Sequence, residues 1–192
     1  MLALRAAQAG TAQAGTAQGE NARATDLRAE LTLEAARAEY VAGHAEASLA
    51  HCEAAARLAA QAGRADLLAA AALVITGMGD PGTTVAVDAL CAAALAVLPA
   101  EDTVLRARLL ARQAISAAES GAGNRAREVS AEAFALAERS ADPDALLDGI
   151  HARHLSLSAP QFLAERRELA VRACQVARQA SQPLRSGCTT RS

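Results

Sequence analysis

Lysine and tryptophan are absent from this 192-residue chain, and aromatic residues make up only 2% of it. Without lysine there is no phosphate-loop lysine and no Schiff-base chemistry. Every one of the 19 basic residues is therefore an arginine, set against 21 acidic ones for a formal net charge of −2. Direct nucleic-acid binding is not expected, because phosphate recognition needs a concentrated positive field. No apolar run approaches the length of a membrane span, and no basic-then-apolar leader is present. The expectation is a cytoplasmic protein that makes no membrane contact. The four cysteines, at 52, 91, 174 and 188, form no C-x-x-C pair. They read as reduced, small apolar residues, with no cofactor and no metal site. G-x-S-x-G, H-E-x-x-H and kinase signatures are all missing, so no catalytic residue is assigned and enzyme activity is not expected.

Alanine fills the space these absences leave. Hydrophobic residues reach 52% of the chain, and alanine favours helix over strand. A core of such small side chains forms only where helices approach closely. The stretch 105–137 reads as one helical hairpin, with Ala126, Ser130, Ala133 and Phe134 on one face at i, i+4, i+7, i+8. The same spacing fits segments starting at Ala47, Val87 and Arg166. A period of about 40 residues marks stacked helix pairs. The predicted fold is all-α, a right-handed α-solenoid of about four antiparallel helical hairpins.

Taken in order, residues 1–24 form a low-complexity leader containing AQAGTAQAGTAQG, disordered or frayed because repeated glycine weakens the helix alanine favours. Residues 25–180 form the repeat domain, and 181–192 a flexible tail. Helices are predicted from Thr25 to Ala42, Glu46 to Gln61, Asp66 to Thr76 and Thr84 to Leu98. Four more follow: one capped by Asp102 or Thr103, one from Arg125 capped by Asn124, one opened by Asp142-Pro143, and one to Ala180 opened by a Ser158-to-Gln161 capping box. Gly77-x-Gly79-x-x-Gly82 matches a dinucleotide fingerprint. It reads instead as a loop, since Asp80-Pro81 interrupts it and no second strand follows.

The candidate partner-facing residues lie on first-of-pair helices: Glu34, Arg37, Arg108, Arg112, Glu119, Asp148, His151 and His154. On the fifth helix, Leu105 and Leu109 form a second apolar stripe beside Ala107, Ala111 and Ala114, so Leu109 is expected to be buried. The charged strip between the stripes would line the groove of the array. Asp148-x-x-His151-x-x-His154 is the one cluster with ligand-like chemistry, yet its outer members drift apart by more than a turn and a half.

The small residues Ala126 and Ala133, with Pro99 following Ala94, resemble the second helix of a tetratricopeptide repeat (TPR). The pairs here are longer, and alanine mostly replaces the aromatic and Leu-Gly positions of that family's first helix, so the array is TPR-like. Segments 34–59, 73–81, 105–121 and 145–160 resemble the helical-repeat region of large bacterial ATP-binding transcriptional regulators of the LuxR and AAA-ATPase type. That resemblance implies a regulatory arm whose ATPase and helix-turn-helix modules lie outside this sequence. The expected function is a non-catalytic interaction or sensing scaffold with a protein or peptide partner. The alternatives are a stand-alone protein holding a small effector or metal around His151 and His154, and a truncated product without independent function.

Overall fold

The computed structural model describes the backbone of residues 2–77 and 80–181 and the side chains of residues 19, 21–77 and 80–179. Among the described residues the chain is all-helical, without strands. The helices are α1 (Leu2–Val41), α2 (Ala45–Ala62), α3 (Ala65–Ala72), α4 (Pro81–Val97), α5 (Thr103–Glu119), α6 (Gly123–Ser140), α7 (Pro143–Ser156) and α8 (Leu163–Ser181), with a 3-10 turn at Pro160–Phe162. The leader's backbone is continuous with α1. The tail beyond Ser181, Cys188 within it, and Met78 and Gly79 of the glycine motif lie outside the described residues.

The chain divides into two compact units, Met1–Leu98 and Pro99–Ser192. In the first, α1 packs on α2 and α3, and α4 on α2 and α3; in the second, α5 packs on α6 and α7, α6 on α7, and α7 on α8. The two units repeat one plan, 78 residues apart. Leu27-Arg28-Ala29-Glu30-Leu31 opens the packed part of α1 as Leu105-Arg106-Ala107-Arg108-Leu109 opens α5. Gly43 and Gly121 both take positive φ, 83° and 79°, where a residue without Cβ turns at no steric cost. The same bonds close the two turns: Gly43 and His44 N–H donate to Tyr40 and Glu39 carbonyls, and Gly121 and Ala122 N–H to those of Ala118 and Ala117.

Burial sharpens the repeat. The positions Ser48, Cys52, Ala55, Ala59; Val87, Cys91, Ala94, Leu98; and Ala126, Ser130, Ala133, Ala137 are all buried, and each set lies 39 residues after the last. The first-of-pair positions follow suit at Ala29, Leu33, Ala36; Leu68, Ala72, Ile75; and Ala107, Ala111, Ala114. The predicted phase was one residue off in α2, where Ala47 is exposed and Ser48 fully buried, its hydroxyl donating to the Ala36 carbonyl at 2.9 Å. The next step of the series gives Glu165, Leu169, Arg172 and Val176 rather than a set starting at Arg166.

Helix ends also depart from expectation. Helix α4 begins at Pro81 rather than Thr84 and is capped by Asp80, whose carboxylate accepts from Gly82 and Thr83 N–H. Asp102 and Asp142 cap α5 and α7, accepting from Leu105 and Ala145 N–H. Asn124 does not cap α6, which begins at Gly123; its side chain instead accepts from Arg127. Ser158 makes no capping box, because Pro160 opens a 3-10 turn before α8 starts. Helix α3 stops at Ala72, short of Thr76, and the Tyr40 hydroxyl accepts from Thr76 N–H at 3.2 Å and Gly77 N–H at 2.7 Å. Those two amides find their acceptor on α1 rather than in a continued helix.

Candidate interaction face

The 39-residue repeat gives the candidate residues a common address. Glu34, Leu73, Arg112 and His151 occupy one repeat position, and Arg37, Thr76, Ile115 and His154 another three residues on. Asp148 shares its position with Leu31, Ala70 and Leu109.

Their surroundings differ. On α1, Arg37 and Glu34 form an ion pair one turn apart with both side chains exposed, an arrangement that contributes little in water. In the second unit, Arg108 Nε donates to Asp148 Oδ2 at 2.7 Å, joining α5 to α7. Arg112 is buried, only 4% exposed, with Nη2 3.9 Å from Glu119 Oε2 two turns on. The charged strip is therefore not open along its whole length. Leu109 is fully buried, as its stripe predicted.

The histidines separate. His151 is exposed, whereas His154 is half-buried with Nε2 3.0 Å from Arg166 Nη2 on α8. Asp148 is held by Arg108 and His154 by Arg166, while His151 is exposed, so the ligand-like cluster does not converge on one point. Among the described residues, no group of three or more His, Cys, Asp or Glu side chains could hold a metal ion.

Several linking residues were not read from the sequence as contacts. Arg153 on α7 donates to Glu165 on α8 at 2.9 Å and to the Arg127 carbonyl on α6 at 3.2 Å. Arg172 on α8 reaches Glu138 at 2.6 Å and lies 5.1 Å from the centre of the Phe134 ring, a cation over an aromatic face. One signal for Arg172 existed: it stands where the repeat elsewhere has Ala55, Ala94 and Ala133. In the first unit Arg64 ties the α2–α3 turn to α1, meeting Asp66 and Asp26 at 2.7 Å each. Its guanidinium, hydrogen-bonded to Asp66, holds that carboxyl below the usual range. Burial pushes the Cys52 thiol up to about 11, so it stays a protonated core residue.

Two hollows lie elsewhere. A groove of about 580 Å³ runs along α8 past Arg167, Val171 and Gln175, and a cavity of about 160 Å³ lies by Gly63, Leu68 and Val97. Neither is lined by His151 or His154. No helix among the described residues is long and apolar enough to cross a membrane. No protein-family profile, curated protein or solved structure matches this chain.

Proposed function

We propose that the chain is a non-catalytic, cytoplasmic interaction scaffold: a right-handed, TPR-like α-solenoid whose first-of-pair helices present the partner-facing side. The recurrence of burial every 39 residues, on both helices of the pair, is the observation that carries this reading. An array of that kind presents a long face that engages a peptide or protein segment without a closed pocket. The likeness of segments 34–59, 73–81, 105–121 and 145–160 to the repeat arm of LuxR-type ATP-binding regulators supports a role in such a regulator. ATP hydrolysis and DNA reading would then belong to other modules.

A photo-crosslinking residue at His151, compared with one at the exposed outer position Glu53, tests the scaffold reading. The absence of lysine makes amine crosslinkers uninformative here. Partner adducts are expected from position 151 and not from 53; equal yields at both, or none at either, would sink the reading. Small-angle scattering of the purified chain tests the solenoid, for which an elongated particle is expected.

A further inference from the structure

We propose that Arg166 is a carboxylate-binding residue for which His154 is the stand-in acceptor. Four other arginines that bridge helices or turns meet an acid: Arg64 with Asp26, Arg108 with Asp148, Arg153 with Glu165 and Arg172 with Glu138, at 2.7, 2.7, 2.9 and 2.6 Å. Arg166 meets an imidazole instead. Glu165, its neighbour, is taken by Arg153. Among the described residues no carboxylate lies within ion-pair distance of Arg166, and its buried Nε–H has no acceptor.

The geometry of the guanidinium gives this meaning. Its Nε–H and one Nη–H point the same way as a two-pronged fork that matches the two oxygens of a carboxylate. An arginine nitrogen only donates, so His154 Nε2 accepts, and one ring nitrogen fills one prong. The other prong stays unsatisfied, which is costly for a buried donor. A carboxylate entering as the His154 ring swings aside would satisfy both prongs and supply the missing negative charge. His154 shares its repeat position with Arg37, on the face proposed above to meet partners. The site therefore rests on the scaffold reading and names its chemistry: the ligand is an aspartate or glutamate side chain of a partner, or a free carboxylate.

The test is an NMR titration of the full chain, following the backbone amides of residues 165–170. One arm uses sodium acetate at constant ionic strength with chloride as control; the other uses a blocked peptide with a single glutamate. Saturable shifts with either probe are expected, with acetate at millimolar concentration. Tighter binding of the peptide assigns the site to protein side chains, and equal binding to free carboxylates. Arg166→Lys keeps the charge but loses the fork, and should weaken binding at least tenfold. His154→Ala removes the stand-in acceptor and should tighten binding several-fold, an opposite effect that a merely structural role would not produce. Shifts identical to those with chloride, or wild-type affinity in Arg166→Lys, would overturn the site. Crosslinking preserved at His151 with Arg166 silent would remove this site and leave the scaffold standing.

Discussion

Gly149 on α7 meets the main chain of Phe134 on α6: a β-carbon at 149 would lie 3.2 Å from Phe134 Cα and 3.3 Å from Ala137 Cβ. The first neighbour is backbone and has no rotamer to move, so the two helices approach as closely as they do because residue 149 has no side chain. Gly149→Ala is expected to destabilise by about 1–3 kcal/mol through overpacking, even though alanine is the better helix former by roughly 1 kcal/mol. Thermal and urea unfolding check the sign. A stabilised variant would mean that α6 and α7 have room to separate.

Leu109 and Leu31 occupy the same place in the two units, yet Leu109 is fully buried and Leu31 is 62% exposed. Leu109→Ala should cost about 2–5 kcal/mol, as large-to-small core changes do. Leu31→Ala should stay within about 0.5 kcal/mol, as surface changes do. Equal losses in urea denaturation would show that the two leucines are buried alike, as the repeat alone suggests, and not as unequally as the structure has them.

The repeat was legible because alanine both favours helix and fills closely packed slots, so its 3.6-residue pattern survives without aromatic anchors. The phase was harder to read. Ala47 and Ser48 are both small, and composition could not say which of them faces inward; only the Ser48 hydroxyl meeting the Ala36 carbonyl decides it. Caps written in aspartate and proline, such as Asp142-Pro143, could be read locally. Asn124 was misread because α6 starts before it, at Gly123. Among the candidate residues, Arg108 and Asp148 were each visible, but their bond crosses 40 residues and shows only when α5 lies beside α7. Arg166 and His154 likewise meet only through the packing of α8 on α7.

Acid should loosen the start of α4. The Asp80 carboxylate accepts from the Thr83 hydroxyl at 2.7 Å and from Thr83 and Gly82 N–H, and these bonds hold its pKa below the ordinary value. A carboxyl depressed by folding contributes stability at pH values above its unfolded pKa, about 4, and loses that contribution as the pH falls through its lower folded value. Hydrogen exchange should therefore show α4's first turn losing protection below about pH 4, with Asp80→Asn, which keeps an acceptor but not the charge, insensitive to pH there. A wild-type first turn unchanged to pH 2 would remove Asp80 as the cap that matters.

Ala141 is the one non-glycine among the described residues with positive φ, 55°, and it stands 78 residues after Gly63, whose φ is 69°. Both residues end a helix in the left-handed region, where a β-carbon crowds the neighbouring carbonyl oxygen at a cost of roughly 1–2 kcal/mol. The second unit carries that strain and the first does not. Ala141→Gly should therefore stabilise the protein by about 0.5–1 kcal/mol, less than the full strain because glycine also frees the unfolded chain. The reverse change, Gly63→Ala, should destabilise it by a similar amount. Both are read as shifts in the urea midpoint at constant slope. If Ala141→Gly lowers the midpoint, the turn between α6 and α7 is not left-handed in solution, and its likeness to the turn after α2 fails there.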